Sequence, residues 1–137
     1  MSAETSDRLI KSALSFAKGD SVAFAFQGGE PLLAGIDYFK DFSERVKKYN
    51  LRGSRIYFSI QTNGMLIDEQ WARFFHDEHF LVGLSLDGDM EANRFRVDAN
   101  GTNRFYKILN AAQMLTMHEV DFNILTVLTG YAAENID

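Results

Sequence analysis

Apolar residues recur along this chain with two periods that take turns. Leu9, Ile10, Ala13, Leu14 and Ala17 stand at helical spacing, which predicts an amphipathic helix, and Ser2 can cap it. Gly19–Asp20 breaks the pattern, and the short apolar run over 21–26 predicts a strand. Ile36, Phe39, Phe42, Val46 and Tyr49 then restore the spacing of three and four, predicting a helix to about Asn50. The alternation continues with a strand over 54–60, then a helix with Trp71, Phe74 and Phe75 behind a possible Asp68 cap. A strand over 79–86 follows, then a helix with Phe105, Ile108, Leu109, Ala112 and Leu115 behind Thr102. A fourth strand over 121–128 ends at Thr129–Gly130. The polar stretch 89–101 predicts no regular element, and "YAAENID" reads as the start of another helix.

Apolar strands alternating with amphipathic helices predict an α/β fold with a parallel sheet and helices packed outside it. No linker or repeat interrupts the pattern, so residues 1–137 read as one domain. The chain opens on a helix with no strand before it and closes just after a strand. Both ends therefore read as unfinished, as in a piece of a longer protein.

Composition narrows the choice. With 46% apolar residues the chain is globular, and a formal charge of −5 with mixed signs argues against a nucleic-acid partner. No apolar run is long enough to cross a membrane, and the N-terminus has no leader pattern; no membrane association and a cytoplasmic location are expected. There is no cysteine. That excludes disulfides, thiolate zinc sites and cysteine-ligated iron–sulfur clusters on these residues.

Parallel α/β folds bind ligands at the carboxyl ends of their strands. Those ends read Gln27–Gly28–Gly29–Glu30, Gln61–Thr62–Asn63–Gly64, Ser85–Leu86–Asp87–Gly88 and Thr126 to Gly130. Glycine there serves turns, but Gly28–Gly29–Glu30–Pro31 is more specific. Two glycines leave backbone amides and carbonyls unscreened, Glu30 adds an acceptor suited to an ammonium, and Pro31 sets the exit direction. Ser85 and Arg96 offer donors, and arginine can grip a carboxylate with two parallel bonds. Together these groups match an amino-acid zwitterion. Spacing is equally compatible with Glu30 and Arg96 pairing with neighbours such as Arg94 or Asp98. His76 and His79 lie three apart but lack a third metal ligand, and His118 suits a helix C-terminus.

The stretches "FAFQGGEPLLAG", "IYFSIQTNGMLIDEQWARFF", "FLVGLSLDG" and "VDFNILTVLT" resemble the radical S-adenosylmethionine (SAM) domain of anaerobic sulfatase-maturating enzymes. The resemblance implies a partial (β/α) barrel of about four parallel strands with helices on the outer face, the second to fifth strands of such a barrel. It implies a longer parent that holds SAM and a [4Fe–4S] cluster, cleaves SAM reductively, and oxidises a Cys or Ser of a sulfatase peptide to formylglycine. Gly28, Gly29 and Glu30 match the motif that receives the SAM amino group, with Gln27 beside it. Ser85 and Arg96 match contacts to the SAM carboxylate, and Asn63 shares their rim. The family's C-x3-C-x2-C cluster motif, first and sixth strands, cysteine-rich C-terminal domain and downstream acidic base are missing here. Asp89 replaces a usual proline.

The expectation is therefore a chain with no catalytic residue or metal ligand of its own, inactive alone, to which no cofactor stays bound. It is expected to self-associate through the edges of strands 21–26 and 121–128 and through an apolar inner face. A parent acting on another peptide, and a cluster-free binding module, are the alternatives.

Overall fold

The computed structural model describes residues 1–98 and 100–135. Four strands, β1 (Ser21–Phe26), β2 (Arg55–Thr62), β3 (Phe80–Ser85) and β4 (Phe122–Leu125), form one sheet in the order β1-β2-β3-β4. All three pairings are parallel. Sequential parallel order requires a crossover after each strand, and helices supply it. α1 (Ala3–Ala17) precedes β1, and α2 (Ile36–Tyr49), α3 (Glu69–Asp77) and α4 (Phe105–Met117) fill the three crossovers. A short α5 (Gly130–Glu134) follows β4. Among the described residues the sheet is not closed: β1 pairs only with β2, and β4 only with β3.

The helix caps follow the local sequence. Ser2 accepts the Thr5 amide, Asp68 accepts the Trp71 amide, and Thr129 accepts the Ala132 amide. α1 stops at Lys18, which takes the left-handed conformation, and Gly19 follows it.

A phenylalanine row builds the core on the helix-facing side. Phe24, Phe58 and Phe80 are register partners on successive strands, and their rings stack at 6.0 and 5.0 Å. Phe39 and Phe42 of α2 meet Phe26 edge-on at 5.0 and 5.1 Å, and Trp71 of α3 meets Phe39 at 5.5 Å. Burying each of these rings contributes about 2–3 kcal/mol, and the edge-on geometry aligns positive ring edges with negative faces.

Several boundaries differ from the sequence expectation. β4 is shorter than 121–128 because β3 ends at Ser85 and offers no further ladder. Residues 126 and 127 stay beside β3 by other means: the Thr126 hydroxyl donates to the Leu86 carbonyl, and the Val127 amide donates to Asp87. Thr102 does not cap α4. Its amide donates to Asp98, and the Asn103 side chain accepts the Phe105 amide instead. The stretch 89–101 contains a 3-10 turn at Ala92–Phe95, held by the fully buried Asn93. α5 starts at Gly130, and Ile136 and Asp137 of the expected last helix lie outside the described residues.

Strand alternation sends Phe24, Phe58 and Phe80 to the helices. The opposite face holds a hollow of about 230 Å³ whose lining mixes apolar Phe26, Leu81 and Leu125 with polar Ser59, Gln61 and Asn123. Tyr57 and Leu81 are its exposed large side chains. A Cβ at Gly83 would lie 2.7 Å from Leu125 Cδ1, so a side chain there would require the end of Leu125 to shift.

Candidate functional site

Two carboxylates tie the strand ends together. At the first tie, Glu30 follows the Gly28–Gly29 turn. Its Oε1 accepts the Thr62 hydroxyl at 2.8 Å and the Leu32 amide at 3.1 Å, and its Oε2 accepts the Asn63 amide at 2.8 Å. Thr62 is buried and accepts the Gly64 amide in turn. Glu30 thus staples the end of β1 to the end of β2, which fixes the glycine turn between them. Gly28 and Gly29 have φ of +97° and +56°, and a Cβ built on either meets nothing within 4 Å. The turn is open to an approaching ligand, and its conformation favours glycine.

The second tie joins the β3 end to β4 and to the 92–95 turn. Asp87, 5% exposed, receives two parallel bonds from Arg96 at 2.7 Å each, and the Val127 amide donates to its Oδ1 at 2.8 Å. Burial by itself would push the Asp87 carboxyl up. The Arg96 guanidinium and the Val127 amide outweigh burial and hold it below the usual carboxylate range. The Asp87 amide donates to Asn93 Oδ1. Ser85 ends β3 beside this tie and is half-buried.

Every residue expected at the site lies at or just beyond a strand end. Gln27, Gly28, Gly29 and Glu30 follow β1, Asn63 follows β2, Ser85 ends β3, and Arg96 reaches back to the β3 end through Asp87. The pairings differ from those that spacing suggested. Arg94 pairs with Glu91 and Asp98 with Arg104, so neither takes Glu30 or Arg96. Sequence reasoning passed over Thr62, Asp87 and Asn93. An aspartate directly after a strand, nine residues before an arginine, was the one signal for Asp87. His76 and His79 are both exposed, and no group of His, Asp or Glu among the described residues could hold a metal ion. A groove of about 600 Å³ between α2 and α3 lies on the outer face, away from these groups.

The chemistry available at these strand ends is bare backbone at Gly28–Gly29, a half-buried hydroxyl at Ser85 and a guanidinium at Arg96. These ends hold no thiolate for iron, since the chain has no cysteine.

Comparison with known proteins identifies the family of the chain. The family model of the radical SAM superfamily matches residues 1–137. The cysteine-type anaerobic sulfatase-maturating enzyme of Clostridium novyi is 45% identical over 132 residues, covering 96% of this chain and 35% of that protein. The serine-type enzyme of Klebsiella aerogenes is 39% identical over 108 residues, covering 78% and 27%. The solved structure of native anSMEcpe with bound AdoMet and Kp18Cys peptide superimposes with a TM-score of 0.95 at 42% identity, covering 99% of this chain and 38% of that one. The chain thus spans about a third of the length of the relatives it matches.

Proposed function

The chain belongs to the radical SAM superfamily, and from that premise we propose that it forms the SAM-holding part of an anaerobic sulfatase-maturating enzyme, one that oxidises a Cys or Ser of a sulfatase peptide to formylglycine. The carrying observation is the strand-end rim, which holds both an open glycine turn stapled by Glu30 at the β1 and β2 ends and an arginine stapled by Asp87 at the β3 end. Similarity to a structure with bound AdoMet supports the same assignment.

SAM fits these residues. The Gly28–Gly29 backbone would receive its amino group, Ser85 and Arg96 its carboxylate, and Gln27 and Asn63 would border it. Glu30 acts on the turn more than on the ligand, since both its oxygens already accept hydrogen bonds from β2 or from Leu32. When bound, SAM would supply hydrogen abstraction from a peptide side chain, with the electron that cleaves it coming from a cluster held by other parts of the longer parent. The hollow lined by Ser59, Gln61 and Asn123 together with Leu81 and Leu125 is the place such a peptide would reach. A [4Fe–4S] cluster does not fit these residues, which carry no thiolate. Its absence from the donor set keeps a SAM-binding module without redox chemistry as the second reading. A cytoplasmic setting is part of the proposal.

An isotope-labelled chain titrated with SAM tests the site. Saturable NMR shifts at Gly28, Gly29, Ser85 and Arg96 are expected; saturable shifts confined to the outer helices would overturn it. For the activity, residues 1–137 are exchanged into the C. novyi relative and assayed anaerobically with a cysteine peptide. Aldehyde formation, lost in Glu30→Ala, is expected. A folded, cluster-loaded chimera that binds SAM and leaves the peptide unchanged would refute the substrate.

A further inference from the structure

Arg96 uses only one side of its guanidinium inside the protein. Nε donates to Asp87 Oδ2 and Nη2 to Asp87 Oδ1, both at 2.7 Å. A guanidinium has five N–H donors in a planar fork. Both Nη1 hydrogens and one on Nη2 remain, and one from each nitrogen forms a second, end-on fork. The Arg96 side chain is 22% exposed, whereas the Asp87 side chain is 7% exposed, so the arginine faces outward from a buried partner.

We propose that Asp87 is a positioning residue that grips Arg96 side-on and thereby aims the end-on fork at the carboxylate of SAM. The inference rests on the reading of Arg96 as a carboxylate contact and adds how that arginine is aimed. Arginine carries about 2 kcal/mol of rotamer entropy, so a side chain already held in one geometry loses less when a ligand arrives. The holder is itself held. Asp87 accepts the Val127 amide, and its own amide donates to Asn93, which is fully buried. Asn93 sits on the turn that leads into Arg96, and its carbonyl accepts the Arg96 amide at 2.9 Å. Main chain and side chain thus close a small loop, Asp87 to Asn93 to Arg96 and back to Asp87.

Charge and aim make opposite predictions for Asp87→Asn. By charge alone, deleting a carboxylate next to the arginine raises its attraction for a ligand carboxylate. By aim, it frees the guanidinium and lowers it. Affinity for SAM relative to decarboxylated SAM separates the two. It also differs from a purely structural role, which weakens both ligands alike.

The test is NMR titration of the wild-type chain, Asp87→Asn, Asp87→Glu and Arg96→Gln with each ligand to about 10 mM, a range in which binding energies of only about 3–4 kcal/mol are visible. Asp87→Glu keeps charge and fold but displaces the fork by one methylene, and it carries the test if Asp87→Asn does not fold. The wild-type chain is expected to prefer SAM about tenfold, the effect of one good charge-assisted pair. Arg96→Gln and both Asp87 variants should lose most of that preference while still binding decarboxylated SAM. An Asp87 variant with undiminished or greater preference, beside Arg96→Gln without it, overturns the role of Asp87 alone. A wild-type chain without preference, or binding neither ligand, overturns the role of Arg96 and with it this inference.

Discussion

Glu30 and Thr62 are joined across the ends of β1 and β2, with the Thr62 hydroxyl donating to Glu30 Oε1 at 2.8 Å. The two residues are 32 apart in the chain, and the hydroxyl passes the link on by accepting the Gly64 amide. A buried threonine here fixes the position of a glutamate whose turn is proposed to face the cofactor.

Thr62→Val keeps the shape and removes this donor. It leaves part of the Glu30 carboxylate unsatisfied, so a loss of about 1–2 kcal/mol is expected, with Thr62→Ser closer to wild type. Urea unfolding of the three proteins measures it. Equal midpoints for Val and wild type would mean that the Asn63 and Leu32 amides hold Glu30 unaided.

Gly64→Ala meets two obstacles. The residue has φ +76°, and a Cβ would lie 2.5 Å from Leu84 Cδ1 and 3.3 Å from Ala111 Cβ. Leu84 is fully buried and has little freedom to yield. Overpacking and left-handed backbone together cost about 2–4 kcal/mol. Gly53→Ala separates the terms, because its φ is +67° but nothing stands within 4 Å. Its expected cost is the backbone part alone, about 1–2 kcal/mol. Similar losses at both sites would refute the packing contribution.

Asp87 shapes the acid limb of stability. Its folded carboxyl is held below the usual range, so between the folded and unfolded values the unfolded chain binds more protons. Its contribution is therefore complete above the unfolded value of about 3.9 and is lost as pH falls through the lower folded value. Asp98, held low first by the Thr102 amide and then by Arg104, acts in the same window. Asp87→Asn is expected to lower the melting temperature at neutral pH and to flatten part of its fall below about pH 4. A variant with the wild-type slope in acid would contradict the pairing.

Self-association remains expected, through the strand edges and the inner face, where Tyr57 and Leu81 are exposed. Outside their pairings with β2 and β3, β1 and β4 have no further strand partner among the described residues. β1 carries neither lysine nor proline to block pairing. Light scattering should show mass rising with concentration towards ~100 μM, a range in which open edges associate. A well-folded monomer throughout would show that these edges are protected.

Element type, element order and the parallel sheet were legible in the sequence. They depend on local periodicity and on crossovers that leave little choice of topology. Caps at Ser2 and Asp68 were legible for the same reason, since each oxygen serves an amide three residues on. The glycine turn before Glu30 and the strand-end placement of Gln27, Asn63 and Ser85 could also be read along the chain. The partners could not. Spacing offered Arg94 and Asp98 to Glu30 and Arg96, yet Glu30 binds the end of β2 and Arg96 binds Asp87. Those choices depend on strand register, which places Phe24, Phe58 and Phe80 in one row and so decides which strand ends stand side by side. The make-up of the inner face has the same origin. Alternation along each strand is written locally, but only packing against the helices decides that the side with Phe24, Phe58 and Phe80 turns towards them and leaves Ser59, Gln61, Leu81 and Asn123 to the hollow.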